Sequence, residues 1–436
     1  MFLQNAIAKR IDDNDPVKVA LIGAGKFGSM FLSQVPSTTG IEVLVIADLK
    51  PDNAIKACKN VGWSDDLINK TKFVDTGADA IKLNEVEVVI EATGFPAAGI
   101  EHARQAFQNG KHIIMVNVEA DVLAGAALAK EANSAGVVYS MAYGDQPALT
   151  AEIVEWARAS GFNVTSAGKG TRYQPIYHKS SPDTVWDYYG LTHEEARKAG
   201  MNPKMFNSFL DGTKSGLEMA AIANACDLEV PTNGLLFPPC GMDDLANILK
   251  PLEFGGLLEK NGQVEVVSSL ERDGRPVFKD LRWGVYAVLE APNDYAASCF
   301  KQYGMNTDDT GKYSAMYKPF HLIGMELNIS VFSAALLNQA TGQTKKFTGD
   351  VVSTTKKNLK KGEILDGEGG ATVWGKLVPS KLSLSMEALP IGLAHGIKLK
   401  NEIKENKIIT WNDVDFSSND PAISYRRKME KDFKKS

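Results

Sequence analysis

The chain has 436 residues, enough for two or three domains with a core each. Apolar residues make up 44% and charged residues 23%, as in ordinary soluble globular proteins, and a net charge of −5 excludes broad charge-driven nucleic-acid binding. A run of roughly 18 apolar residues, which a transmembrane helix needs, does not occur. Met1–Ile11 is too polar for the apolar core of a signal peptide, and Phe2, Leu3, Ile7 and Ile11 share one face of a short helix. Four widely spaced cysteines (Cys58, Cys226, Cys240, Cys299) form no zinc pattern and read as reduced, mainly buried thiols of a cytoplasmic protein.

Val17–Ile22 is apolar and β-branched, the pattern of a buried strand. Gly23-Ala-Gly25-Lys26-Phe27-Gly28 follows, and then apolar residues at helical spacing. Gly23 permits the tight turn, Gly25 lets backbone approach a pyrophosphate, and Gly28 allows close helix–strand packing. The pyrophosphate would take the free N–H groups at the helix start. A second strand, Ile41–Ala47, ends in Asp48, twenty residues past Gly28, where an acidic residue hydrogen-bonds the adenosine ribose. Together these predict binding of a dinucleotide.

Helix Pro51–Gly62, a strand near Thr71–Asp75 and strand Glu87–Glu91 come next. The last runs into Thr93-Gly94, where small residues let backbone lie against a ligand. Helix Pro96–Asn109, strand His112–Asn117, helix Val122–Ala135 and strand Val137–Ser140 continue the alternation. Such alternation predicts a parallel, doubly wound sheet with its crevice at the strand carboxyl ends. Thr93, Gly94 and Asn117 fall there.

After Tyr143–Arg158, read as an amphipathic helix, Phe162–Tyr173 has strand character. It leads to a polar cluster holding Lys169, Arg172, Lys179 and Ser180, suited to a phosphate or carboxylate or simply to a solvated loop. In Asn207–Ala223, helical spacing puts Asp211, Lys214 and Glu218 on one side, beside an apolar face. A lysine between two carboxylates suits proton transfer and oxyanion stabilisation, although Gly212 and Gly216 weaken the helix and such trios also solvate surfaces. Trp283–Pro292 reads as a central strand. His321, a candidate substrate contact or a structural histidine, precedes helix Leu322–Asn338, which closes the middle domain. Gln339–Lys345 is a linker. Beyond it come short β-like segments and then a tail from Arg426 that reads as a mobile end.

Three further stretches extend these motifs: Phe209-Leu-Asp-Gly-Thr-Lys-Ser-Gly-Leu-Glu218, Leu359-Lys-Lys-Gly-Glu-Ile-Leu365 with Leu389-Pro-Ile-Gly-Leu-Ala394, and Ile409-Thr-Trp-Asn-Asp-Val414. With Val17–Gly28 and Glu87–Gly94, in this order, the chain resembles the homoserine-dehydrogenase-like oxidoreductases that carry a C-terminal SAF domain. The resemblance is closest to the reductoisomerase-like branch acting on 1-deoxy-D-xylulose 5-phosphate. Where homoserine dehydrogenases usually place a lysine after the fifth strand, this chain has Val116-Asn117-Val118.

The expected fold is α/β. It has a Rossmann domain (1–150) with a doubly wound parallel sheet, an α+β middle domain for substrate and dimerisation (151–340), and a small β-rich SAF-like domain (345–416). The resemblance implies a homodimeric reductoisomerase in isoprenoid precursor synthesis, with a small phosphorylated substrate and neither nucleic acid nor membrane as partner. Lys214 would polarise the carbonyl, Asp211 or Glu218 would move protons, and Lys169, Arg172, Lys179 and Ser180 would hold phosphate. The resemblance favours NADP(H), whereas Asp48 points to NAD(H). A divalent cation is compatible, but no ligand spacing demands one. The competing readings are homoserine-type hydride transfer to a small semialdehyde and a non-enzymatic dinucleotide sensor.

Overall fold

The computed structural model describes residues 3–434, so Phe2 on the expected N-terminal face lies outside the described residues. The chain forms two compact units, Met1–Glu152 with His321–Lys345, and Ile153–Phe320 with Lys346–Ser436.

The first unit is built on six parallel strands: β1 (Val17–Ile22), β2 (Ile41–Ala47), β3 (Lys72–Val74), β4 (Val88–Glu91), β5 (His112–Met115) and β6 (Tyr139–Met141). Their order is β3-β2-β1-β4-β5-β6, and each neighbouring pair is parallel. This is the order of a dinucleotide-binding sheet. The strands are apolar on both faces because helices cover both; Val17, Val19, Leu21, Val88, Ile90 and Ile114 are all inaccessible to solvent. The strand order reverses between β1 and β4, which places the crevice beyond their carboxyl ends.

One helix corrects the expected boundary. Leu322–Asn338 was expected to close the middle domain, but helix Asn328–Leu337 belongs to the first unit and packs on β1, β4, β5 and β6. Leu327, Val331, Phe332 and Ala334 join the sheet's own core there. Helical periodicity showed an apolar face without showing which sheet it would cover.

The second unit holds a four-stranded sheet of β7 (Asn163–Thr171), β8 (Gln263–Ser268), β9 (Val285–Glu290) and β10 (Tyr313–Lys318), in the order β10-β9-β7-β8. β7 is parallel to β8 and antiparallel to β9. Strands β11 (Gly349–Thr355), β12 (Ile364–Asp366), β13 (Val373–Pro379), β14 (His395–Leu399) and β15 (Val414–Asp415) complete it, β11 pairing with β13 and β12-β14-β15 forming a small sheet. Helix Thr213–Cys226 packs against β7 and β8 and also against β11 and β13. Every residue of that helix except Lys214 is buried.

The C-terminal segment, expected to stand apart after a linker, is therefore part of the second unit. The Asn224 side-chain oxygen accepts from Thr348 N (2.7 Å) and Gly349 N (2.8 Å), and its amide donates to Gly349 O (3.1 Å). The expected mobile tail is instead helix Pro421–Lys434. Its Arg426 is fully buried, donating to Asp350 Oδ2 (2.5 Å) and Glu430 Oε1 (2.9 Å). A guanidinium is tolerated inside a protein only when paired in this way.

Candidate functional site

The first unit presents the crevice. Gly23 adopts φ +95°, and a Cβ there would lie 2.8 Å from Ala92 O; at Gly28 a Cβ would lie 2.4 Å from Gly23 O. Both positions require glycine because the turn, the helix and β4 crowd together. Gly25 is exposed, with open space where a Cβ would stand, so a phosphate has room to approach the backbone. Lys26 is exposed and Phe27 half-buried at the start of helix Lys26–Gln34. Asp48, at the end of β2, accepts from Ala24 N (3.2 Å) and Lys50 N (3.0 Å), which ties the second strand to the glycine turn. The residues present fit a dinucleotide.

At the end of β4, buried Glu91 accepts from Thr93 Oγ1 (2.5 Å) and lies 3.3 Å from His102 Nδ1. Thr93 and Gly94 are exposed. Asn117 is buried; its Oδ1 caps a helix through Ala120 N (3.0 Å), and its amide donates to Phe95 O (3.0 Å). Asn117 thus holds the two loops together from beneath.

In the second unit the expected trio divides. Asp211 is not on the helix of Lys214 and Glu218. It ends the preceding helix Pro203–Leu210, and Gly212 at φ +91° breaks the chain direction before Thr213. Asp211 accepts from Thr213 N (2.9 Å) and from Lys356 Nζ (2.7 Å), and both charged side chains are almost wholly buried. Lys214 and Glu218 remain one turn apart on one face, and Glu218 is paired with the buried Lys169 of β7. Lys214 is half-buried in the first turn.

The expected phosphate clamp does not assemble. Lys169 is engaged by Glu218, and Arg172 donates to Tyr188 O (3.1 Å). Exposed Lys179 meets Glu405 at 2.7 Å, and buried Ser180 donates to Asn207 Oδ1 (2.6 Å). The strand and the short 3-10 turn that carry them aim successive side chains to different partners, which closeness in sequence did not reveal. His321 belongs to the first unit, not to that of Lys214. Among the described residues, no group of three or more His, Cys, Asp or Glu side chains is gathered to hold a metal ion.

Residues 23–142 match the family described as "Homoserine dehydrogenase, NAD binding domain", and residues 144–327 match "Oxidoreductase DRL, catalytic domain". Both domains are those of an NAD(P)-dependent oxidoreductase. None of the curated proteins matches the chain. Among solved structures, a homoserine dehydrogenase from Thiobacillus denitrificans is similar at 15% identity and TM-score 0.43, covering 78% of this chain and 83% of that one. A levoglucosan dehydrogenase in complex with NADH and L-sorbose is similar at 17% identity and TM-score 0.32, covering 63% and 64%. The 3-ketoreductase KijD10 from Actinomadura kijaniata, in complex with NADP, is similar at 16% identity and TM-score 0.26, covering 37% of this chain. The match spans half the length of that ketoreductase.

Sequence reasoning missed several buried polar residues around helix Thr213–Cys226. Lys356 donates to Asp211 and to the carbonyls of Ser180 and Gly370, each at 2.7 Å. Glu265, wholly buried on β8, accepts from the N–H groups of Leu236 (3.0 Å), Phe237 (3.3 Å) and Val266 (2.9 Å). Burial pushes its carboxyl up to about 7 against those donors. His178, held below its ordinary value chiefly by burial, lies 2.7 Å from Asp211 O and 2.9 Å from the Tyr173 hydroxyl. No local spacing marks these groups, because most of their partners (Asp211 and Ser180 for Lys356, Leu236 and Phe237 for Glu265, Asp211 for His178) lie far away along the chain.

Proposed function

We propose that the chain reduces a small carbonyl compound with NAD(P)H, and that this compound is a phosphorylated hydroxyketone rearranged before reduction, as 1-deoxy-D-xylulose 5-phosphate is by reductoisomerases. The observation that carries the carbonyl chemistry is the start of helix Thr213–Cys226. Lys214 stands in its first turn and Glu218 one turn later, with Lys169 against the Glu218 carboxylate. Lys214 would polarise the carbonyl oxygen, placing a cation where negative charge develops. Glu218 would move the proton, with the Lys169 ammonium holding its carboxylate in place. Asp211, joined to Lys356, would position the Gly212 turn and so the Lys214 amine. The bound nicotinamide would supply the hydride; the turn Gly23–Gly28, with Asp48, would hold and orient the dinucleotide.

The phosphorylated substrate, the homodimer and the cytoplasmic setting rest on the resemblance. Oxidation of NADPH and of NADH should be followed with 1-deoxy-D-xylulose 5-phosphate and with amino-acid semialdehydes, and the carbon skeleton of the product determined. A branched product supports the reductoisomerase reading. Turnover of a semialdehyde alone supports the second reading, simple hydride transfer, which the match of residues 23–142 to the homoserine dehydrogenase domain favours. No turnover of either cofactor would overturn both.

A further inference from the structure

The second unit contains a cavity of about 210 Å³ on a different side of the catalytic helix from the pair Lys214 and Glu218. Gly216 lines it, and at 3.6 residues per turn Gly216 points about 160° away from both Lys214 and Glu218. Four glycines line it, each with protein atoms packed close against it. A Cβ at Gly212 would stand 3.1 Å from His178 Cε1, at Gly216 3.2 Å from Gly375 O, at Gly234 3.1 Å from Lys376 Cε, and at Gly375 2.7 Å from Val351.

Its walls are aromatic. His178 lies against Trp374 with ring centroids 4.1 Å apart and planes tilted by 30°, and Phe237 is stacked on Tyr173 at 4.0 Å. Phe237 sits at φ +51°, a conformation costly for a bulky residue. The Glu265 carboxylate on its N–H and the Arg272 guanidinium on its carbonyl (3.0 Å) hold it there. Leu235, Leu377 and Asn233 also line it, together with one cation, Lys376. Its ammonium has no hydrogen-bond or ion-pair partner among the described residues. Burial lowers the pKa of that amine.

An apolar cavity of roughly 150 Å³ takes a benzene ring, so this one holds a ring with one small substituent. The unpartnered amine selects an anion, since desolvating a cation without a counter-charge is costly. A single donor suits a carboxylate better than a doubly charged phosphate, which needs several. We propose that this cavity is a second ligand site, separate from the Lys214–Glu218 face, which takes a small planar carboxylate with its ring against Trp374 and Phe237 and its carboxylate on Lys376.

The test is calorimetric titration of the full chain with benzoate and with neutral benzamide, neither of which requires turnover. Benzoate should bind saturably and more tightly than benzamide. Lys376→Met should weaken benzoate at least tenfold and leave benzamide unchanged, Lys376→Arg should restore benzoate, and Lys214→Met should alter neither. No saturable benzoate binding to the wild type overturns the proposal, as does benzoate binding that ignores Lys376→Met. If Lys376→Met loses both ligands, Lys376→Arg decides: benzoate preference retained supports the site, and loss of both overturns it.

Discussion

Lys214 is the side chain on which the proposed chemistry turns. It is the one residue of helix Thr213–Cys226 that is not buried, and it stands one turn from a carboxylate already neutralised by Lys169. Lys214→Met keeps the apolar stem and a similar helix propensity, so thermal unfolding and cofactor affinity should hardly move. Turnover should fall by two to three orders of magnitude, about 3–4 kcal/mol, as when one oxyanion donor is lost. Equal activity in the variant would make the Lys214–Glu218 face an ordinary helix surface. Asp48 makes the matching claim in the crevice. It accepts the Ala24 and Lys50 N–H groups at the end of β2, which leaves a carboxylate near the expected ribose. Asp48→Ser should raise the ratio of kcat/KM for NADPH over NADH, because a carboxylate beside a 2′-phosphate costs several kcal/mol. An unchanged ratio would mean that Asp48 does not meet the ribose.

The junction between helices Pro203–Leu210 and Thr213–Cys226 determines what the second helix presents. Gly212 makes the turn at φ +91°, where L residues are strained, and a Cβ would also press on His178. Gly212→Ala should cost about 1–2 kcal/mol from the backbone alone; urea unfolding measures it, and no loss of stability would show that the turn relaxes to another conformation. The segment Leu236–Phe237 depends in the same way on Glu265. Its folded carboxyl is raised from 4.5 to about 7, so the folded state binds more protons than the unfolded one in that interval. Stability contributed by this group is complete below pH 4.5 and is lost as pH rises through about 7. Glu265→Gln keeps an acceptor oxygen for the three N–H groups and removes the titration, and it should flatten the pH dependence of unfolding across that window. A curve as steep as the wild type's would assign the slope to another group, such as Asp121, which burial raises to about 6.

The two compact units interleave along the chain, since Ile153–Phe320 of the second is inserted between Glu152 and His321 of the first. The sheet of the first unit owes part of its core to Leu327, Val331, Phe332 and Ala334, which arrive after that insertion. A fragment of residues 1–152 should therefore be far less stable than the same fragment joined by a short linker to residues 321–345. Removing several buried large side chains costs about 2–5 kcal/mol each. Thermal unfolding monitored with bound NADH distinguishes the two fragments, and equal stability would mean that helix Asn328–Leu337 is dispensable to the Rossmann core.

What the sequence determined by itself is the part written in short-range pattern. The strand before Gly23, the three glycines, the twenty-residue step to Asp48 and the alternation of strands and helices identify the nucleotide sheet. Each of these signals comes from backbone geometry within a few residues or from one βαβ unit. The helix carrying Lys214 and Glu218 was readable for the same reason. Tertiary structure alone decided the partners. Asp211 finds Lys356 across 145 positions and Arg426 finds Asp350 across 76, while Lys169 is spent on Glu218 instead of a phosphate. It also decided that the C-terminal strands cover helix Thr213–Cys226 and that helix Asn328–Leu337 returns to the first sheet. An apolar face specifies only that it must be buried, and a buried charge only that it must be paired; which surface and which counter-charge answer them depends on where the chain crosses itself.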